Sequence, residues 1–185
     1  MNTPDTTLKI QTLGRFTVSV DGTLIAMEWP DEALKNLFCS LLSPLDLYFT
    51  WDRICRSMLN VPATRASKRQ LEEVLIRPLN KFLVNKLGFT PLVTGPDGIQ
   101  INQLIVSVDA MEFYSAVLEA LRLFAFANYP ESTHTFNRAY ELYTGSYLPG
   151  MPGKIITNTR ADLEALTASP FVSRCKIFSH THRFS

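Results

Sequence analysis

Eight basic side chains crowd into residues 51–86: Arg53, Arg56, Arg65, Lys68, Arg69, Arg77, Lys81 and Lys86, against three acidic ones, Asp52, Glu72 and Glu73. The whole chain has 185 residues and a net charge of +1, so this block stands apart from its surroundings. Residues 1–50 hold three basic and six acidic side chains, and residues 87–165 hold four and eight. A concentrated positive field in a near-neutral chain suits a polyanion such as a nucleic acid, although a merely solvated basic surface has the same composition. On a wheel of about 100° per residue, the segment that opens near Ser67 places Arg69, Glu73, Arg77 and Asn80 opposite an apolar stripe, with Lys81 at the edge. Arginine can fork onto guanine O6 and N7, and asparagine onto adenine N6 and N7. Arg69, Arg77, Asn80 and Lys81 are therefore the base-reading candidates. Arg53, Arg56, Arg65 and Lys68 suit phosphate contacts, which position a protein without specifying sequence.

Other chemistry is sparse. The chain has no phosphate-cradling glycine loop, no nucleophile elbow and no metalloprotease helix. Cys175, His180 and His182 lack a nearby fourth ligand and fit no zinc spacing. No metal, cofactor or catalytic set is expected. Cys39 and Cys55 fall in apolar helical patterns and read as reduced, buried thiols of a cytoplasmic protein. No run approaches the ~18 apolar residues that span a bilayer, and the polar start Met1-Asn2-Thr3-Pro4-Asp5-Thr6-Thr7 has no leader pattern.

The elements that must position the basic face follow from periodicity. Leu8, Ile10 and Thr12 alternate with polar residues, as do Phe16, Val18 and Val20, and Asp21-Gly22 turns the chain into Thr23-Leu24-Ile25. This predicts a small antiparallel sheet. Pro30-Asp31 opens a helix through Leu42, and a second follows Thr50, with Trp51, Ile54, Cys55 and Met58 on one face. The third helix has Ser67-Lys68-Arg69-Gln70 as its capping box and Leu71, Val74, Leu75, Leu79, Phe82 and Leu83 as its stripe. Pro78 inside it predicts a kink or restart near Arg77. Leu92–Thr94 and Ile99–Ile101 flank the turn Gly95-Pro96-Asp97-Gly98 and form a hairpin. Beyond it, Asp109 with Glu112 reads as an N-cap and its partner for a helix through about Phe126. Helices over about 132–143 and around Arg160, Leu163 and Leu166 follow. Phe113, Tyr114, Phe124, Phe126, Phe136, Tyr140, Tyr143 and Tyr147 crowd this half, and some of them are candidates for a docking face.

Val108-Asp109-Ala110-Met111-Glu112-Phe113 and Leu142-Tyr143-Thr144-Gly145-Ser146-Tyr147-Leu148-Pro149 resemble the opening of a bacterial transcriptional activator domain. With Leu8-Lys9-Ile10, Leu13-Gly14-Arg15-Phe16 and Asp21-Gly22, they resemble the N-terminal half of SARP-type regulators over about residues 8–167. The resemblance implies a DNA-reading winged helix followed by a TPR-like helical repeat. The chain departs from the family pattern at Arg77-Pro78-Leu79-Asn80-Lys81, where a run of arginines is usual. It departs again at the acidic pair Glu72-Glu73 and at the uncharged hairpin tip. The family's activator domain also continues for further helices, whereas here the sequence from Pro170 to Ser185 reads as a truncated or divergent, disordered tail.

The expected architecture is α+β: a winged helix over 1–104 (small antiparallel sheet, three helices, wing hairpin), an all-α TPR-like segment over 105–169 and a tail over 170–185. The expected function is transcriptional regulation through double-stranded DNA, with the helical segment contacting a second protomer or the transcription machinery. The alternative is a protein-interaction or dimerisation module whose degenerate winged helix does not bind DNA alone. An enzyme is the least supported class.

Overall fold

A computed structural model describes residues 7–168; the tail from Pro170, with Cys175, His180 and His182, lies outside the described residues. The fold is α+β. β1 (Leu8–Gln11), β2 (Thr17–Val20) and β3 (Thr23–Leu24) pair antiparallel, as the alternation predicts. Leu8, Ile10 and Val18 point into the core. The sheet has a fourth strand that the alternation does not reveal: β7 (Val106–Val108) runs parallel to β1, giving the order β3-β2-β1-β7.

The three-helix part follows. α1 (Glu32–Leu41) starts where Asp31 accepts from the Ala33 amide at 2.7 Å. β4 (Phe49–Thr50) leads directly into α2 (Trp51–Ile54), capped by the Thr50 hydroxyl and extended by a π turn over Cys55–Leu59. α3 (Arg65–Leu71), a second π turn (Glu72–Ile76) and α4 (Arg77–Leu87) make one continuous helical run. The wing is β5 (Leu92–Thr94) and β6 (Gly98–Ile101), and β4 pairs with β6 to give a second, three-stranded sheet. That pairing is close: a Cβ on Gly98 would sit 2.0 Å from the Phe49 carbonyl oxygen, so only glycine fits there.

α5 (Asp109–Ala125) and α6 (Tyr129–Leu142) form an antiparallel pair, with Phe113 against Tyr143 near the open end and Phe124 against Tyr129 at the turn. α7 (Lys154–Thr167) packs on α1, burying Thr159 against Ser43, where the two hydroxyls lie 2.7 Å apart. One core runs through both halves, from Leu8 and Phe38 to Phe113, Tyr147 and Leu163. Among the described residues, no helix is long and apolar enough to cross a membrane, and no cluster of three or more His, Cys, Asp or Glu can hold a metal.

Three of the five stretches that carry the family resemblance meet at one joint. Asp109 is not an N-cap. Its carboxylate instead accepts from the Thr12 amide (2.7 Å), the Thr12 hydroxyl (2.6 Å) and the Leu13 amide (3.0 Å), besides its neighbour Ala110. Glu112 accepts from the Ser107 hydroxyl instead of capping the helix. The Gly14 amide donates to the Ser146 carbonyl and the Leu148 amide to the Thr12 carbonyl, and Leu13 and Tyr147 form an antiparallel bridge. Gly14 adopts φ +78°, and a Cβ on Gly145 would stand 2.8 Å from its Cα, so the two backbones touch with no room for a side chain. Arg160 closes the joint by donating to the Tyr147, Leu148 and Met151 carbonyls.

Thr12 is fully buried, so its amide depends on Asp109. Asp109→Ala is expected to lower unfolding stability by about 2–4 kcal/mol in urea titration, from several lost charge-assisted bonds and a stranded buried donor. Cys39 is fully buried, and burial pushes its thiol up to about 12. Iodoacetamide near pH 8 is therefore expected to spare Cys39 in the native protein and to label it in denaturant, read by peptide mass spectrometry.

Candidate nucleic-acid interface

The 65–87 helical run starts at Arg65, two residues before Ser67. Thr64 is the N-cap, and it forms a capping box with Ser67: the Ser67 amide donates to the Thr64 hydroxyl at 3.1 Å, and the Thr64 amide to the Ser67 hydroxyl at 2.7 Å. The spacing of Ser67 to Gln70 is that of a cap and its partner, but Ser67 is the third helical residue and is buried.

Pro78 has no amide to give, and the helix absorbs it with the preceding π turn. The Arg77 amide reaches back five residues to the Glu72 carbonyl, and a regular α-helix restarts at Arg77. A π turn takes more residues per revolution than an α turn, so a uniform wheel misplaces what lies within and beyond it. Val74, expected in the stripe, is 58% exposed, and Ile76 is buried in its stead. The buried row is Leu71, Leu75, Ile76, Leu79, Leu83 and Leu87. Phe82 flanks it and packs at a tilt against Trp29, ring centroids 4.8 Å apart, within an aromatic chain that includes Phe16 and Phe38. This packing fixes the inner face of the run and so fixes what its outer face presents.

That outer face carries most of the candidates, and three of them, Arg69, Arg77 and Asn80, have a local partner. Arg69 Nε donates to Glu73 Oε1 at 2.9 Å. Arg77 donates Nε and Nη2 to Glu72 Oε1 at 3.3 and 3.1 Å. Asn80 is half-buried, and its Oδ1 accepts from the Thr90 hydroxyl at 2.7 Å. Lys81, Arg65 and Lys68 are exposed and make no ion pair among the described residues. Lys68, Glu72, Arg77 and Asn80 line a cleft of about 420 Å³ whose far wall is Thr94 and Gly95 of the wing. The hydrogen bond from Arg69 holds the Glu73 carboxyl below its ordinary range, and Glu73 raises Arg69. Their pairing is complete at neutral pH and is lost as pH falls through the depressed Glu73 value.

Arg53 and Arg56 lie apart from that cleft. Arg53 pairs with Asp46 and stands 5.5 Å over the Phe49 ring. Arg56 Nε donates to Asp52 at 2.7 Å, a bond that, with the Ala63 amide, lowers the Asp52 carboxyl. Both arginines line a second cleft of about 250 Å³ together with Lys154 and Asn158 of α7. Nothing in the sequence joins residues a hundred positions apart, so this neighbourhood is visible only in the fold. Sequence reasoning also missed the strut behind the wing. Trp51 donates its indole N–H to the Pro96 carbonyl at 2.9 Å, and its backbone amide to the Asp97 carbonyl at 3.0 Å.

The fold is shared with a solved structure, Mycobacterium tuberculosis EmbR in complex with low affinity phosphopeptide. The TM-score is 0.61 at 14% identity, over 88% of this chain and 43% of that one. The chain thus spans less than half the length of the EmbR chain it resembles. No family profile and no curated protein matches the sequence. What the comparison establishes is the class of architecture, a winged helix followed by a helical segment, in line with the SARP-like fold that the sequence motifs imply.

Trp51→Phe is expected to keep the fold and remove one bond to the wing tip. Amide exchange over residues 94–99 should then quicken about tenfold, the equivalent of about 1 kcal/mol of local stability. Unchanged protection would mean that the strut does not hold the wing.

Proposed function

We propose that the chain is a transcriptional regulator that binds double-stranded DNA through its winged helix. In this reading the 65–87 helix lies in the major groove, Arg69, Arg77, Asn80 and Lys81 meet base edges, and Arg53, Arg56, Arg65 and Lys68 meet phosphates. One observation supports this above the others. The outward side of a helix packed rigidly on an aromatic core carries Lys68, Arg77 and Asn80 beside the wing, the position a groove-reading face occupies in this architecture. The helical segment then contacts a second protomer or the transcription machinery, in a cytoplasmic protein with no catalytic role. EmbR is seen in complex with a phosphopeptide, and a protein partner for this chain is proposed by analogy with it.

A second reading is a protein-interaction or dimerisation module whose winged helix does not bind DNA alone. It draws on the pairing of Arg53, Arg56, Arg69 and Arg77 with carboxylates of the same chain.

Titration of a fluorescent duplex at several salt concentrations separates the two. Four to six phosphate contacts give a log–log slope of about −4 to −5. Arg77→Ala and Arg69→Ala are each expected to weaken binding by about 5- to 100-fold, the range for loss of a bidentate base contact. A slope near zero, or variants that bind as the parent does, would favour the second reading.

A further inference from the structure

Building on the DNA-binding reading, we propose that Glu72 and Glu73 are specificity-determining residues. They hold Arg77 and Arg69 for guanine edges and accept from the amino group of a neighbouring cytosine.

The argument begins with which atoms are engaged. Glu73 takes only the Nε of Arg69, so both Nη groups of that guanidinium make no hydrogen bond among the described residues. Two Nη donors presented end-on match the O6 and N7 acceptors of guanine. Glu72 takes Nε and Nη2 of Arg77 through one oxygen, Oε1. In each carboxylate Oε2 remains without a partner among the described residues. The donor that the major groove offers to such an oxygen is the cytosine N4 amino group, or N6 of adenine.

The spacing argues against a routine surface pair. Residues five apart on a regular α-helix stand about 140° from one another and do not face. Glu72 and Arg77 face only because the intervening residues form a π turn, an uncommon device that here accompanies Pro78. Their pair lies in the cleft between helix and wing, with Lys68 and Asn80. All four side chains are well exposed: 68% and 54% for Arg77 and Glu72, 79% and 47% for Arg69 and Glu73.

The electrostatic consequence is selective. A carboxylate beside each arginine repels phosphates, so the pair gains little from the backbone, which is the same in every sequence. It gains where a guanine accepts from the arginine and an adjacent amino group donates to the glutamate. Affinity for DNA at large falls, and discrimination rises.

The test selects bound sequences from a randomised duplex library with the full chain, and titrates an unselected duplex in parallel. The parent is expected to enrich guanine next to cytosine. With Glu72→Gln and Glu73→Gln together, affinity for the unselected duplex is expected to rise about tenfold. The salt slope steepens by about one per carboxylate removed. The cytosine preference is replaced by adenine, which glutamine favours. Glu119→Gln, which removes one similarly paired carboxylate on α5, reports the effect of a charge removed away from this helix and should change neither readout. The proposal is overturned if the double variant selects the parent's sequences and binds unselected DNA as the parent does. Uniform weakening on every duplex, or an equal gain in Glu119→Gln, also overturns it. Parent binding without salt dependence defeats the underlying DNA reading, and this inference with it, whereas each of the former outcomes leaves that reading standing.

Discussion

The Asp109 carboxylate is the interaction on which the arrangement depends. β1 and β7 are parallel, and parallel neighbours need a long crossover between them. Here the crossover is everything from Thr12 to Ile105, the whole helix-and-wing unit. The first sheet is therefore complete only when that unit has folded and returned. Asp109, immediately after β7, then grips the end of β1 through the Thr12 and Leu13 amides. A buried amide has no water to fall back on, so this grip supplies a partner that the strand ladder lacks. Because it joins residues almost a hundred positions apart, it forms late in any folding order dominated by local contacts.

The second constraint is Pro78. A proline in mid-helix removes a donor and crowds the preceding turn. The widened turn over Glu72–Ile76 relieves both problems without breaking the run. The relief has a geometric cost, since the buried row shifts and Val74 turns outward while Ile76 turns in. The aromatic chain from Phe16 through Trp29 to Phe82 and Phe38 then holds the second half of the run against the first sheet and α1. The orientation of Arg77 and Asn80 is thus decided by a proline, a wide turn and a tryptophan together.

The legible parts of the fold were those written in local periodicity and turn chemistry. The hairpin at Asp21-Gly22, the helix after Asp31, the helix capped by Thr50 and the wing strands around Gly95–Gly98 all stand where alternation and capping place them. What sequence could not show was long-range. β7 is three residues long and pairs with a strand some hundred positions away, so it carries no local signal. Thr64 and Ser67 are both hydroxyl residues, and only the buried position of Ser67 separates cap from helix interior. Asp109 and Glu112 have the spacing of a reciprocal cap but answer to Thr12 and Ser107, hydroxyls that the first sheet brings to the start of the helix. The basic face was legible as composition, but its ion pairing depended on a turn type that a uniform wheel cannot represent.

The touching backbones of Gly14 and Gly145 carry one more consequence, for how the chain divides. The joint draws on residues 12–14, 106–109 and 144–148 and on Arg160, which no single cut in the chain keeps together. Among the described residues Leu104 is the most exposed large apolar one, and it sits in the loop where a boundary is easiest to draw. A chain ended there would leave β1 with a bare edge, the Thr12 and Leu13 amides without acceptors and the Thr12 carbonyl without the Leu148 amide. The unit that can be moved, fused or exchanged intact is the winged helix together with α5, α6, the 144–148 strap and α7, whose Arg160 closes the joint. Orientation between the winged helix and the helical segment therefore travels with the piece and needs no linker to set it.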